Sequence, residues 1–211
     1  MPDQRTQSTA TRTEAANRVL TSARELFTER GFEGVSIRDI ATRAGVSKAN
    51  VFHHFGNKGN LYEAVLEDSR LTFDALLDGL RDDSVPIAQR LEEFARGHLD
   101  TMLSEPAAVN LFLRQMLSNR GDPRRERAEE TIGEGMQELL QLVERGLGGR
   151  DGTSALSLTL TLLGSTFIYF QLRDVLPRLD GAGAACTPDV YCGALMELLR
   201  PGLEAHASAA T

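Results

Sequence analysis

The sequence predicts an all-α protein, and three observations support this prediction. Apolar residues recur at steps of three and four along most of the 211 residues, which is the period of an amphipathic helix. Proline and glycine stand at the ends of these stretches, where they start or stop helices at little cost. No segment shows the alternation of apolar and polar residues that a half-buried strand requires.

The first predicted helix covers residues 13–30. Thr13 is suited to cap its N-terminus, and Gly31 supplies the stop at its C-terminus. The apolar side chains of this stretch fall on one stripe, so we expect the helix to pack on its neighbours through a single face. The stripe consists of Ala16, Val19, Leu20, Ala23, Leu26 and Phe27.

A much shorter helix is predicted over residues 37–44. Ser36 is its N-cap, and Asp39 stands three residues further on, which gives a capping box with a shorter acid than usual. Gly45 ends this helix, because glycine readily adopts the left-handed backbone that a tight turn favours.

Ser47 is the N-cap of a third predicted helix, residues 48–54. Two short helices joined by a turn of three or four residues are the defining feature of a helix-turn-helix motif. The sequence therefore predicts such a motif over residues 36–55.

Proline and glycine divide the rest of the chain into six further predicted helices. Four prolines stand just before an apolar-periodic stretch, where the first helical turn tolerates them, and Pro177 follows such a stretch and terminates it. Loops are expected at residues 146–152 and 180–185. The six helices are predicted at residues 57–80, 86–103, 106–119, 123–146, 153–176 and 187–200.

The chain is long enough to bury a sizeable core, in one large domain or two small ones. We expect a disordered N-terminal arm over residues 1–12, a helix-turn-helix domain over 13–60, a larger helical domain over 61–205 and a flexible tail over 206–211.

Composition is that of a soluble globular protein, with 41% hydrophobic and 25% charged residues. No apolar run approaches the roughly 20 residues of a membrane span, and the polar N-terminus lacks the apolar core of a signal peptide. A cytoplasmic location is therefore expected. In that compartment Cys186 and Cys192 are predicted to be reduced thiols, and no metal site is expected around them.

Charge is distributed unevenly along the chain. The net charge is −7, yet residues 1–60 carry nine Lys and Arg against six Asp and Glu, a net +3, and residues 61–211 carry 14 against 24, a net −10. The two lysines of the chain, Lys48 and Lys58, both lie in the basic part. This pattern suits a protein whose N-terminal part meets phosphate groups.

The second helix of the predicted motif has one face suited to a DNA groove. Val51 and Phe55 lie four residues apart and are expected to be buried. On the other face, an asparagine can bond bidentately to adenine, a lysine can donate to guanine, and an alanine methyl can contact the thymine methyl. That face consists of Lys48, Ala49, Asn50, His53 and His54.

Three further residues are suited to phosphate. Ser36 and Ser47 lie at helix N-termini, where backbone N–H groups and the helix dipole favour an anion. Lys58, at the start of the next helix, can reach the DNA backbone beside the groove.

Residues 13–66 carry a more specific pattern in four blocks: Leu26-Phe27-x-x-x-Gly31-Phe32-x-Gly34-Val35-Ser36, Ile37-Arg38-Asp39-Ile40-Ala41, Ala44-Gly45-Val46-Ser47-Lys48-x-x-Val51-Phe52, and His54-Phe55-x-x-Lys58-x-x-Leu61. With these blocks the segment, about a quarter of the chain, resembles the N-terminal domain of TetR-family regulators. The other three quarters resemble the family in length and helical character.

The resemblance implies roles position by position. Residues that fall where the family contacts bases are Lys48, Ala49 and Asn50, and those that fall where it contacts phosphates are Ser36, Ser47, His54 and Lys58. Arg38 and His53 fall where either contact occurs. The family most often has tyrosine at the position of Phe52, so a hydroxyl contact to phosphate is lost or replaced here.

The resemblance also implies dimerisation through the last two long helices, because one recognition helix reads only a few base pairs. The alternative, that their apolar stripes belong to the protomer's own core, stays open for each residue. The predicted interface residues are Leu156, Leu160, Leu163, Gly164, Phe167, Tyr191, Leu195, Leu198 and Leu199.

The middle helices are expected to enclose a cavity for a small effector, which we expect to be apolar or neutral because no charged residue stands out there. Ordinary core packing is the alternative for each of these side chains. No cofactor and no metal are implied. The predicted pocket residues are Phe94, His98, Met102, Phe112, Gln115, Met116, Phe167 and Tyr169.

The implied function is that of a ligand-responsive repressor that binds a palindromic operator in double-stranded DNA as a homodimer. An enzyme is the rival class, but the sequence has no phosphate-binding glycine loop, nucleophile elbow or metal-ligand spacing. A DNA-binding protein that uses its body only to dimerise is a second rival. Activation instead of repression, the effector and the operator sequence stay open.

Overall fold

A computed structural model describes residues 13–117, 121–149, 152–181 and 186–208. Within these ranges the chain forms nine α-helices, one short 3-10 helix at Leu176–Arg178 and no strand, which confirms the all-α prediction. The helices are α1 (Glu14–Arg30), α2 (Ile37–Ala44), α3 (Lys48–Phe55), α4 (Lys58–Leu80), α5 (Ile87–Ser104), α6 (Pro106–Met116), α7 (Pro123–Gly146), α8 (Gly152–Leu172) and α9 (Pro188–Ser208).

The caps of the first three helices lie where the sequence predicts them. The Thr13 hydroxyl oxygen accepts a hydrogen bond from the backbone of Ala16. Ser36 and Asp39 form a complete capping box, in which each side chain accepts a hydrogen bond from the other residue's backbone N–H. Gly45 has φ +66° and ψ +37°, the left-handed conformation that a residue with a Cβ adopts only with strain.

Two predicted helix ends differ in the C-terminal part. The helix predicted over 153–176 ends at Leu172, where the guanidinium of Arg173 donates to the carbonyl of Phe170 and the short 3-10 helix follows. The helix predicted to end at residue 200 continues through Pro201 to Ser208. Proline removes one backbone donor from a helix, and after Gly202 the next residues, Leu203, Glu204 and Ala205, are good helix formers.

Three predicted regions reach beyond the residues that the structure describes. Residues 206–208, the first three of the predicted flexible tail, are the last residues of α9, and the flexibility of the tail stays a prediction. The helix predicted over 106–119 ends at Met116 within the described part. The predicted arm over residues 1–12 lies outside the described residues.

The chain divides into two compact units. We call them the head, which consists of the described residues of 13–69 and 107–128, and the body, which consists of those of 70–106 and 129–208. The helix-turn-helix lies in the head, together with α6 from Ala107 onwards and the first turns of α7. The predicted division of function near residue 60 stays a prediction, because the compact unit extends beyond it.

The head has one hydrophobic core. Its centre is an aromatic cluster in which the ring of Phe27 lies 5.7 Å from Phe32 and 5.2 Å from Tyr62, measured between centroids. Leu111 of α6 is 1% exposed and belongs to this core. The other buried members are Val19, Leu20, Ala23, Leu26, Val35, Ile40, Ala41, Ala44, Val51, Leu61, Val65 and Leu66.

In the body, α8 and α9 both pack on α5. The buried side chains of α5 are mainly apolar, whereas α8 buries two threonines, Thr159 and Thr166, among its apolar residues. Cys186 and Cys192 are free thiols. Burial raises the pKa of the Cys192 thiol to about 11, which disfavours the reactive thiolate.

Helix α8 is shorter than predicted but more apolar than expected from the sequence. Its 21 residues carry no charge, and an 18-residue window within them has a mean hydropathy of 1.4, so by length and composition this helix can cross a membrane. Residues 152–172 therefore contradict the expectation that no apolar run approaches the length of a membrane span. A single helix of this kind is weak evidence for a membrane, because a helix packed within a soluble protein passes the same test.

Candidate nucleic-acid interface

The second helix of the motif, α3, is held by one face. Val51 is 1% exposed, and Phe55 packs against the head core, as predicted. On the opposite face Lys48, Ala49 and His53 are exposed. Together with the left-handed turn at Gly45, this arrangement defines a helix-turn-helix whose second helix presents a polar and cationic surface.

Asn50 is less available than the sequence analysis expected. The residue is half-buried, and its side-chain carbonyl oxygen is buried without a hydrogen-bond partner among the described residues. A bidentate contact with adenine needs both the oxygen and the nitrogen of the amide. The Asn50 side chain must therefore turn outward before it can form that contact.

The two predicted phosphate-binding serines differ in their surroundings. The Ser36 hydroxyl donates to the carboxylate of Asp39 at 2.6 Å, and this hydrogen bond is the main reason why the pKa of Asp39 is lowered. A bound phosphate at this terminus would meet that negative charge. The Ser47 hydroxyl accepts from the backbone of Asn50, and the first turn of α3 has no acidic residue. The terminus at Ser47 is therefore better suited to phosphate.

The remaining predicted contacts lie around the motif. Arg38 and Phe52 are exposed, with Phe52 at 49%. His54 is half-buried, and its Nε2 lies 3.4 Å from the hydroxyl of Thr13, the N-cap of α1. The ammonium of Lys58 lies 4.2 Å from the ring centroid of Phe32, close enough for a cation–π interaction.

Two arginines fix α1 against the motif, and the sequence analysis missed both. Arg18 donates to the carbonyl of Ala44, directly before the turn glycine, at 3.2 Å. Arg43 of α2 donates to both carboxylate oxygens of Glu29 at 2.8 and 3.1 Å, and this fork lowers the pKa of Glu29. Neither contact has a local sequence signal, because the partners lie 26 and 14 residues apart.

Helix α6 is fastened to the end of α1 by two further hydrogen bonds. The Thr28 hydroxyl donates to the carbonyl of Ala107 at 2.7 Å, and Arg114 donates to the carbonyl of Thr28 at 3.0 Å. Phe112 packs against the head core. These contacts make α6 a structural part of the unit that holds the motif.

The predicted pocket residues do not form one described cavity. Phe94, Met102 and Tyr169 are buried and Phe167 is half-buried in the body, whereas Phe112, Gln115 and Met116 belong to the head. Two open clefts occur among the described residues, of about 370 and 270 Å³. The first is lined by Glu14, Asn17, Arg18, Thr21, Ser22, Glu25, Arg43 and Ala44, and the second by Leu147, Thr153, Ser154, Ser157, Leu158, Thr161, Leu199, Gly202 and Leu203. Neither includes a predicted pocket residue.

His98 is a half-buried histidine of the body, held by a hydrogen bond. Its Nδ1 lies 2.9 Å from the Thr166 hydroxyl, whose own proton is directed to the carbonyl of Leu162 at 2.9 Å. Nδ1 therefore carries a proton and donates it to this hydroxyl. The ring stacks on Phe94 and meets Phe73 edge-on. Burial lowers the pKa of His98 from 6.5 to about 4.

This depressed pKa predicts a pH dependence of stability. Between pH 6.5 and 4 the unfolded state binds the His98 proton and the folded state does not, so folding stability falls as the pH falls through this window. We expect His98 to contribute a loss of about 2 kcal/mol between pH 7 and pH 5.

The measurement is urea unfolding of the wild type and of His98→Gln at both pH values. The variant should lose less stability on acidification than the wild type by that amount, because its side chain does not titrate. Equal losses in the two proteins contradict the assignment.

The predicted dimer residues divide by exposure. Leu156 is 42%, Leu160 53% and Leu198 80% exposed, and Gly164 is also exposed. Leu195 is 9% exposed and belongs to the protomer's core. The half-buried members are Leu163, Phe167, Tyr191 and Leu199.

Comparisons with known proteins agree with this geometry. Residues 19–65 match the model of the bacterial regulatory proteins of the tetR family. The transcriptional regulator RutR of Escherichia coli K12 is 36% identical over 100 residues, which are 47% of each chain. The repressor Rv3405c of Mycobacterium tuberculosis H37Rv is 50% identical over 56 residues, or 26% of this chain and 30% of that protein. The chain thus spans about half the length of these relatives, or less.

Solved structures extend the likeness to the fold of nearly the whole chain. NalD of Pseudomonas aeruginosa matches with a TM-score of 0.63 and 23% identity, over 90% of this chain and 96% of NalD. A transcriptional regulator from Aquifex aeolicus matches with a TM-score of 0.65 and 21% identity, over 88% and 98%. Residues 19–65 thus match the tetR family's model, and the likeness to solved structures shows the fold of nearly the whole chain.

Proposed function

We propose that this protein is a transcriptional repressor that binds a palindromic operator as a homodimer and responds to a small effector. The observation that supports DNA binding most directly is the exposed face of α3, where Lys48, Ala49 and His53 stand beside the Ser47-capped helix terminus. These groups can contact base edges and phosphate in a major groove. The basic charge of residues 1–60 agrees with this role.

The proposed homodimer uses α8 and α9. Both helices pack on α5 through one face, and their other faces expose several large apolar side chains. Contiguous exposed apolar surface of this kind marks an interaction site. A second copy of the chain, related by twofold symmetry, would cover this surface and present a second α3 to a palindromic half-site.

The proposed effector response rests on the body and on likeness to other regulators. The structure of FadR from Bacillus subtilis, which is in complex with stearoyl-CoA, shares the fold with a TM-score of 0.63. For this chain we propose an apolar or neutral effector that binds the two states of the dimer with different affinity. Helix α4 contributes residues to both units and is the candidate connecting element.

The alternative is a DNA-binding protein whose body only dimerises. The two clefts described above are open, and neither includes a predicted pocket residue. Thermal unfolding in the presence of a library of small apolar compounds separates the two. A compound that raises the Tm and releases DNA supports the effector response.

The test of the proposed function is selection of bound fragments from a pool of random duplexes. A palindromic consensus is the expected result. A consensus without symmetry would contradict the palindromic operator, and recovery of no duplex over background would contradict DNA binding altogether.

Two substitutions should separate base contacts from phosphate contacts. We expect Lys58→Ala to weaken binding about equally for all duplexes and to lower the salt slope by about 0.9. We expect Asn50→Ala to relax the preference at one base position, at a cost of about 1–3 kcal/mol for the preferred base. Binding curves for the consensus and for single-base variants measure both. An unchanged preference in Asn50→Ala contradicts its assignment.

Phe52→Tyr should tighten binding to DNA. Phe52 is exposed on the proposed DNA face, and a tyrosine hydroxyl there can donate to phosphate. We expect a gain of about 0.5–1.5 kcal/mol for any duplex, the net value of one hydrogen bond. Phe52→Leu is the matched control without a hydroxyl. A Tyr variant that binds no more tightly than the wild type contradicts the prediction.

A further inference from the structure

A cationic junction lies at the segment that leads from α1 into α2. The ring of Phe32 has the guanidinium carbon of Arg124 at 4.5 Å and the ammonium of Lys58 at 4.2 Å from its centroid. Arg124 belongs to the first turn of α7 and Lys58 to the first turn of α4. Three elements that are distant in sequence therefore meet at one aromatic side chain, in the unit that carries the motif.

Arg124 is held in place on both sides. Its Nε and Nη2 donate to the two carboxylate oxygens of Asp122 at 3.1 and 3.2 Å, and the Arg124 backbone N–H donates to the same carboxylate. Its Nη1 donates to Glu33 at 2.8 Å, next to Phe32. These bonds use the planar fork of a guanidinium, which a lysine ammonium cannot reproduce.

The electrostatics agree with this geometry. Hydrogen bonding to Arg124 is the largest cause that lowers the pKa of both Glu33 and Asp122, and the same bonds raise the pKa of Arg124. The Glu33 side chain is 80% exposed. With Arg124 in place, the Glu33 carboxylate is paired and directed towards α7. Without Arg124, an unpaired carboxylate would lie near Lys58, which is a proposed phosphate contact.

We propose that Arg124 is a positioning residue for DNA binding. It holds Phe32 and Glu33 so that Ser36 starts α2 in the correct place, and it supports the ring over which Lys58 lies. Arg124 does not contact DNA in this proposal, which rests on the proposed DNA-binding function. Arg124 lies in the first turn of α7, within the head, as do Phe32, Glu33 and Lys58.

The experiment compares the full-length wild type with Arg124→Ala, Arg124→Lys and Glu33→Gln. Arg145→Ala is the matched control, because it removes the same charge from an exposed position of the same helix. Binding to the duplex selected with the wild type is measured over a range of salt concentrations, well below the Tm of every variant. Amide hydrogen exchange of residues 32–36 is measured without DNA.

We expect Arg124→Ala to bind about tenfold more weakly with an unchanged salt slope, since no phosphate contact is lost. Arg124→Lys should behave similarly, because the planar fork of the guanidinium is lost. Glu33→Gln should lose less affinity than either Arg124 variant. Arg145→Ala should match the wild type. Exchange of residues 32–36 should be faster in both Arg124 variants only.

Three outcomes overturn the proposal. Unchanged affinity of Arg124→Ala with a lowered Tm would show a role in stability alone. A salt slope reduced by about 0.9 would show that Arg124 itself contacts phosphate. Unchanged exchange of residues 32–36 would show that it does not position this segment. If the wild type binds no duplex, the proposed function fails, and the exchange measurement still decides whether Arg124 positions the segment.

Discussion

Replacing Leu160 and Leu198 together by aspartate should convert the proposed dimer to a monomer. Both side chains are more than half exposed in the protomer, so the substitutions remove few internal contacts. In the proposed dimer they would bury unpaired carboxylates in an apolar interface, which is strongly unfavourable. Because a monomer engages one half-site at a time, we expect affinity for a palindromic duplex to fall by about 10²–10⁴-fold.

Sedimentation measures the oligomeric state, and binding to the selected duplex measures the affinity. Leu117→Asp is the control, because Leu117 is 85% exposed but lies outside α8 and α9. This variant should remain dimeric. If the double variant also remains a dimer, the interface lies elsewhere, and the exposed faces of α8 and α9 need another explanation.

Phe27→Ala should destabilise the head by about 3–5 kcal/mol, the usual cost of removing a buried aromatic ring. Phe27 is 0% exposed and contacts the rings of both Phe32 and Tyr62. Removing it leaves a cavity at the centre of the core on which α1, α2, α3 and α6 pack. Unfolding in urea, followed by far-UV circular dichroism, measures the loss.

Phe52→Ala is the matched control for this prediction. Phe52 is exposed on α3, so its truncation should change stability by no more than about 0.5 kcal/mol. The two variants thus remove the same side chain from the core and from the surface. A comparable loss in both would contradict the burial that the structure assigns to Phe27.

The architecture of the motif was predictable because its signals are local. Thr13, Ser36 and Ser47 cap helices within three residues of themselves, and Gly45 requires only its own left-handed conformation. The outward face of α3 follows from the period of a helix and from two buried residues, Val51 and Phe55. Such features depend on the residues beside them in the chain.

Contacts between distant residues were not predictable in this way. Arg124 meets Glu33 across 91 residues, and Thr28 meets Ala107 across 79, and neither pair leaves a pattern in the sequence. The inward turn of the Asn50 amide oxygen and the membership of Phe112 in the head core are likewise set by packing. A serine at a helix N-terminus is suited both to cap the helix and to contact phosphate. The Ser36 hydroxyl caps α2, and its expected contact with phosphate is not decided by the sequence.

Because α6 packs in the head core, it limits which segments of this chain can be exchanged for those of related proteins. Leu111 and Thr28 link a segment after residue 106 to the first helix, so a fragment that ends at Ser69 lacks part of its own interior. Chimaeras that exchange only residues 1–69 would join mismatched surfaces at Phe27 and Thr28. An exchange that also carries residues 107–128 keeps these surfaces matched, so the head should be exchanged as two pieces.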